Sequence, residues 1–320
     1  MKSRRSRARR IATLALAAVL GAALAVLPHV NLVSSPVVAM AQAVLPILLV
    51  GALVLSLILC LRRAFIAAAI LFVFGGMALL PLFPQTPARF CSESAQLSVL
   101  SLNAGRGNAN VGVLAEAIRD TDPTVLVLVE TSEPMIEALR AELVRGAYGH
   151  RTEPVVFGGS VDTVILSKFP LSQEPDAASQ TEGALFDAPV ALIQHPDLGS
   201  LRIAGIHPIP PTHGPTSWAA TLRGIDAWQL RQDATPLILA GDFNATAAHP
   251  QFRELAKQFQ DAVPLLGPLP AGTWPADLPI PALVRIDHIL VRGFAVTEAI
   301  RIEVPGTDHH GIVARLAVCR

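Results

Sequence analysis

Residues 237–246 read LILAGDFNAT. The first half, Leu237, Ile238 and Leu239, is apolar enough for a buried strand; the second presents Gly241, Asp242 and Asn244. A Gly-Asp turn closing a strand is ordinary punctuation, so the stretch alone leaves a turn and a reaction centre both open. Other strand-like runs end the same way. Asn103 follows 97–102, Glu130 follows the Val/Leu run 125–129, and His207 follows 201–206. Asp287 and His288 lie inside VRIDHILV, and Asp308, His309 and His310 precede 312–318. Side-chain hydrogen bonds at strand ends account for any one of these. Six such sets point to a site, because the ends of neighbouring strands meet on one rim of a sheet.

The surrounding pattern alternates strand and helix. Strands are expected at 97–102, 125–129, 164–166, 190–193, 201–206, 237–240, 286–291 and 312–318. Helices are expected at 111–119, from a Ser132 cap to about 144, at 216–231 and at 251–259, with a Pro-rich loop over 263–281. This predicts one α/β domain, residues 95–320, with buried sheets covered by helices. The two tryptophans of 216–231 are assigned to the core, and His288 to packing or hydrogen bonding within its strand. Trp274 is left between packing and lining a groove. The chain carries no Gly-rich phosphate loop, no Cys pair with zinc-finger spacing and no Gly-x-Ser-x-Gly elbow.

Ahead of this domain the composition changes. Residues 1–10 carry six basic residues and no acid, and from 11 to 83 the charges are Arg62 and Arg63. The apolar region divides into three expected transmembrane helices, 11–28, 37–61 and 64–83, each near the roughly 20 residues that cross a bilayer. A cleaved signal peptide ending near Ala41-Gln42-Ala43 is the competing reading of the first. The basic residues at 1–10 and 62–63 are expected to stay cytoplasmic. Three spans then place the linker 84–94 and the domain on the extracytoplasmic side of the cell membrane, and cleavage leaves that side unchanged. On that side a bond between Cys91 and Cys319 would persist, provided the first and last strands lie side by side; two unrelated thiols remain the alternative.

The ordered set LSLNAGRG, LVLVETS, VILSKFPL, IAGIHPIP, LILAGDFNAT, RIDHILV and TDHHGIVARL resembles the endonuclease/exonuclease/phosphatase superfamily, across 95–318. The resemblance implies a four-layered α/β sandwich of two packed mixed sheets flanked by helices, and a phosphoesterase dependent on Mg2+ or Mn2+. It implies Glu130 as the main metal ligand, with Asn103 beside it and Asp308 in support. It makes Asp242 the acceptor of a proton from the attacking water and Asn244 a hydrogen-bond donor to the phosphoryl group. His309, oriented by Asp287, contacts the phosphate, and His207 matches a second histidine used for leaving-group protonation. Arg106 is a candidate phosphate contact or a solvated loop residue. His310 and the following Gly311 depart from the usual pattern, which puts the local loop shape in question. Three spans before an outward-facing domain also resemble the membrane-bound branch, which includes a glycopeptide (vancomycin/teicoplanin) resistance protein thought to act on lipid-linked cell-wall pyrophosphates.

Charge separates the candidate substrates. Residues 84–320 hold 17 basic and 25 acidic residues, a net charge of −8, and setting aside Glu130, Asp242, Asp287 and Asp308 still leaves −4. Grip on nucleic acid comes largely from Lys and Arg neutralising phosphates, so a nuclease is the less favoured reading. Anchorage favours the membrane bilayer as partner and a phospholipid or polyprenyl pyrophosphate as substrate. A catalytically silent, membrane-anchored binding module is the third reading.

Overall fold

The computed structural model describes residues 2–83, 97–153, 162–262 and 272–318. Along the chain run β1 (Leu97–Asn103), β2 (Val125–Val129), β3 (His150–Arg151), β4 (Thr163–Ser167), β5 (Leu171–Glu174), β6 (Val190–His195), β7 (Gly199–Ile206) and β8 (Leu237–Asp242). They are followed by β9 (Gln260–Asp261), β10 (Asp287–Arg292), β11 (Phe294–Ile302) and β12 (Gly311–Val318). The strands form two six-stranded mixed sheets, ordered β11-β12-β1-β2-β4-β3 and β5-β6-β7-β8-β10-β9.

Side chains of a strand alternate between its two faces, and here both faces are covered. Val99, Val127 and Ile165 of the first sheet pack against Ile203, Ile238 and Ile289 of the second in a shared core. The alternate residues face outward into helices. Leu100, Leu102, Leu126 and Leu128 pack under Leu114 and Ile118 of α5 (Val111–Thr121) and Ile136 and Leu139 of α6 (Glu133–Glu142). Leu237 and Leu239 pack under Trp218, Leu222 and Ile225 of α7 (Pro215–Leu230) and Phe252 of α8 (Pro250–Ala256). The result is the expected α/β/β/α sandwich. Burial on both sides is why 125–129 and 237–239 read as continuous apolar runs. Asn110 and Ser132 accept backbone hydrogen bonds from Val113 and Met135 at the starts of α5 and α6, caps worth about 1 kcal/mol each. Ser132 is the cap expected from sequence.

The sequence reading omitted β3, β5, β9 and β11. The first and third are two residues long, and β5 is largely exposed. β11 is nine residues long, but a break in register between Val296 and Glu298 interrupts its alternation. β1 and β12 are antiparallel neighbours, with Leu97 opposite Leu316. Cys91 and Cys319, the linker 84–94 and part of the Pro-rich loop lie outside the described residues.

The N-terminal region also differs from expectation. Two helical stretches, Arg7–His29 and Phe65–Leu82, are long and apolar enough to cross a membrane. They take in most of α1 (Lys2–Val26) and all of α4 (Phe65–Leu79). The middle span expected at 37–61 is broken into α2 (Pro36–Ala43) and α3 (Leu45–Leu61), bent by 64°. Pro46 has no N–H for the carbonyl of Gln42, four residues back, which stops the first helix from running on. Gln42 turns its side chain into the bundle and donates to the carbonyls of Leu27 and Val30. Among the described residues, 25 of the 30 large apolar side chains left exposed belong to residues 11–83, an apolar girdle that water would not favour.

The domain rests directly on this bundle. His249 Nε2 lies 3.0 Å from the Ala39 carbonyl oxygen, Gln251 donates to Asn31 Oδ1 at 2.7 Å, and Arg253 donates to the Pro28 carbonyl at 2.5 Å.

Candidate active site

Topology brings the polar strand ends together. β1 and β2 are parallel, as are β7 and β8, so Asn103, Glu130, His207 and Asp242 all arise at carboxyl ends of central strands. β10 runs antiparallel to β8 with Asp287 opposite Asp242, and β12 runs antiparallel to β1, so Asp287 and His309 enter the same rim from amino ends.

The backbone at this rim is bent for the purpose. Glu130 and Asn244 sit at positive φ, 50° and 48°. Asn adopts this region readily, whereas a left-handed Glu costs of order 1–3 kcal/mol and persists where its surroundings enforce it. Gly241 has φ 146°, and a Cβ there would lie 2.0 Å from the carbonyl oxygen of Ile206. The glycine of LILAGDFNAT is thus what lets β7 and β8 pair right up to Asp242. Gly241→Ala is expected to cost about 3 kcal/mol and lower the Tm by roughly 6–12 °C. A thermal unfolding curve that matches wild type would overturn this account of the turn.

Asp242 is the centre of the site and is 2% exposed. Its Oδ1 accepts from the Asn244 N–H at 2.8 Å and its Oδ2 from Asn103 Nδ2 at 3.1 Å. The same Oδ2 lies 3.7 Å from His309 Nε2 and 4.0 Å from His207 Nε2. Asn103 Nδ2 also reaches Glu130 Oε1 at 3.3 Å. The other nitrogen of His309, Nδ1, is 2.9 Å from Asp287 Oδ2, an orienting contact that leaves Nε2 facing Asp242. Thr307 ties the parts together: its hydroxyl donates to the Asn103 carbonyl and accepts from the His309 N–H.

Electrostatics separates the groups. Burial, reinforced by the charge of Asp287, holds the Asp242 carboxyl well above the ordinary carboxylate range. Burial likewise raises Glu130 against the lowering hydrogen bond from Asn103. For His309 burial favours the neutral ring, but the facing carboxylates of Asp287 and Asp242 outweigh it and push the pKa up to about 10. His207 is pushed down to about 3, by burial and then by the charge of His309. Its two ring nitrogens have no hydrogen-bond partner among the described residues, and Phe186 lies against the ring with centroids 5.3 Å apart. The site therefore holds one neutral and one charged histidine.

All nine residues singled out from the sequence border this rim or its cleft. Asp308 sits at the mouth, its side chain 45% exposed, with Oδ1 3.8 Å from His309 Nε2. Its Oδ2 accepts from Trp274 Nε1 at 2.9 Å, so Trp274 belongs to the cleft. Arg106 lines the cleft from an exposed position. His288 takes the bland role assigned to it, bonded to Asp261 and the Ala245 carbonyl. Thr307 and Thr273, whose hydroxyl accepts from the Ile286 and Asp287 N–H groups, were missed. A lone threonine in a loop carries no pattern that would mark it.

Asp242, Asp287 and His309 place one ligand atom each within 4.8 Å of one another. Four acids converge here with one buried imidazolium, and burial disfavours the charged forms of both Glu130 and Asp242. A donor set of carboxylates and an amide short of positive charge suits a hard divalent cation. Since Asp287 already bonds His309 and Asn103 turns its Oδ1 to the Gly105 N–H at 3.0 Å, the oxygens of Glu130 and Asp242, both bonded by Asn103 Nδ2, are the better ligands.

An α/β sandwich with acids, amides and histidines on one rim of its paired sheets defines the class, the phosphoester hydrolases built on this fold. The chain belongs to the Endonuclease/Exonuclease/phosphatase family, whose model matches residues 100–309. Solved structures agree on the fold. A mannosyl-6-phosphatase from Bacteroides thetaiotaomicron is 17% identical with a TM-score of 0.53, covering 69% of this chain and 100% of that one. D. rerio TDP2 in complex with single-strand DNA product is 15% identical with a TM-score of 0.55, covering 69% and 99%. An endonuclease/exonuclease/phosphatase from Beutenbergia cavernae is 19% identical with a TM-score of 0.51, covering 70% and 72%. No curated protein sequence matches the chain.

Proposed function

We propose that this protein is a membrane-anchored phosphoesterase that uses Mg2+ or Mn2+ to hydrolyse a phosphodiester or pyrophosphate bond of a phospholipid or polyprenyl-pyrophosphate. The observation that carries the lipid reading is the composition of the cleft wall. The cavity over the rim, about 590 Å³, is bordered by Glu130, Asp242, Asn244 and His309 and also by Met40, Ala43 and Val44 from the α2–α3 bend. An enzyme for free solutes has no need of its anchor there. The net charge of −8 on residues 84–320 argues against a nucleic-acid substrate in the same direction. Counting the bent α2–α3 pair as one span gives three spans in all, and the basic residues at 1–10 and 62–63 then put the domain outside the cytoplasm.

The residues divide the work. Glu130, oriented by Asn103 beside it, would hold the ion with Asp308 at the mouth, and Asp242 shares its border. What the ion supplies is neutralisation of the substrate's anionic charge and polarisation of a phosphoryl oxygen. Asp242 Oδ2 accepts a proton from the attacking water. Asn244 donates from its amide nitrogen to the Pro208 carbonyl at 3.1 Å and, at the longer distance of 3.5 Å, to Asp242 Oδ2, and the longer contact is the one it would exchange for a phosphoryl oxygen. His309, charged and oriented by Asp287, donates through Nε2 as negative charge builds. His207 stays neutral, so leaving-group protonation suits His309 better than the role first expected for His207. Arg106 at the mouth meets phosphate on entry.

The test is a substrate panel on the full-length protein in vesicles with magnesium or manganese. Release of phosphate or of a phosphomonoester from lipid substrates is expected. Cleavage of nucleic acid with no turnover of lipids would replace this reading with a nuclease, and no turnover together with no metal binding would leave a binding module.

A further inference from the structure

We propose that a second cavity, between the anchor and the domain, seats the hydrocarbon tail of the substrate while its phosphate lies over the rim. The proposal rests on the phosphoesterase reading above and adds where the lipid portion goes. The cavity is about 660 Å³ and lies beside the catalytic cleft. Its walls are Leu49 and Leu53 of α3 and Leu71 and Phe72 of α4, and its ceiling includes Phe252 and Phe259 of the domain. Ala43, at the α2–α3 bend, lines both this cavity and the cleft, so the two adjoin at that point.

Two observations favour a lipid tail as the occupant. The volume lies within the 300–1,000 Å³ typical of small-molecule sites, and the wall is overwhelmingly apolar. Its depth fits one leaflet. From Pro46 to Leu53 and from Leu71 to Leu79 the lining helices descend roughly 10–12 Å at 1.5 Å per residue, against about 15 Å for half of a 30 Å hydrocarbon core. The bend that breaks the expected middle helix sets Ala43 at the border of both cavities.

Two glycines make the cavity testable. Gly75 and Gly76 line it. A Cβ on Gly76 meets nothing within 4 Å, and one on Gly75 meets Leu49 Cδ2 at 3.8 Å. A larger side chain can therefore begin at either position without a clash at its Cβ. Gly51, on α3, has equal room for a Cβ and is not part of the lining, which makes Gly51→Leu the control.

The experiment uses the full-length protein in phosphatidylcholine vesicles, with long-chain diacyl and polyprenyl phosphoester substrates in separate arms and bis(p-nitrophenyl) phosphate as a tail-less substrate. Gly76→Phe and Gly75→Leu are expected to lower kcat/KM for at least one long-chain substrate about tenfold or more and to leave the tail-less substrate unchanged, while Gly51→Leu changes neither. The arm that responds identifies the tail. A direct readout accompanies it: a phospholipid with a diazirine near the end of its tail should label Phe252 or Phe259 in wild type and lose that labelling in Gly76→Phe. Equal kinetics on all substrates in the cavity variants, or no labelling of either phenylalanine, overturns the tail site and leaves the phosphoesterase standing. Should wild type turn over nothing, the phosphoesterase reading falls first, and labelling still decides the cavity.

Discussion

Asp242→Asn is expected to reduce phosphoester turnover by about 100- to 10,000-fold, the range lost with a general base, while the protein stays as stable as wild type at pH 8. Both halves follow from the geometry. The amide retains the shape of the side chain, and its oxygen can still accept from the Asn244 N–H now bonded at 2.8 Å. It removes a buried charge that Asp287 opposes. A structural role for Asp242 predicts the reverse, lost stability with activity falling in proportion. His309→Ala should abolish turnover to a similar degree and, unlike Asp242→Asn, also cost about 1–3 kcal/mol, because Asp287 is left buried without the partner it has at 2.9 Å. Rates within about threefold of wild type in both variants would dismantle the site.

Removal of divalent ions is the second large effect. Chelation should stop turnover, and the rise in Tm on adding magnesium back should be greater at pH 8 than at pH 6. The sign follows from the shifts. With its pKa raised, Asp242 keeps a proton to higher pH than an ordinary carboxyl, and the ion must displace it. Each pH unit below that pKa then costs about tenfold in affinity, or 1.4 kcal/mol. His309 acts in the same direction. A histidine raised to about 10 stabilises the ion-free fold fully below the unfolded value near 6.5, and that contribution is lost as the pH rises through about 10. The ion-free protein should therefore lose Tm on the alkaline side, and magnesium at about 100 times its Kd should restore roughly 2.7 kcal/mol. An increment that is equal at the two pH values, or larger at pH 6, would contradict the placement of the ion beside Asp242.

The sandwich was legible because its central strands are buried on both faces. Val125–Val129 and Leu237–Ala240 have no polar position to confuse their reading. The rim was legible because each central strand stops at a chemically distinctive residue. Sequence alone did not reveal that Asp242 and Asp287 face each other across β8 and β10, or that one histidine is neutral and the other charged, since both follow from burial and long-range register. β11 escaped notice because its bulge and polar edge break the alternation. The middle span was read from its composition, but its 64° bend was not, because composition records how apolar a segment is and not whether Pro46 lets it run straight.

The contacts of His249, Gln251 and Arg253 with residues 28–39 fix the height of the candidate site above the apolar helices. On the proposed function, encounter with substrate is then a two-dimensional process: molecules arrive by sliding within the leaflet rather than tumbling in from bulk water. The velocity should follow the mole fraction of substrate in the vesicle and fall when inert lipid is added at constant total concentration, a surface-dilution behaviour that a domain swinging on a loose tether would show far more weakly.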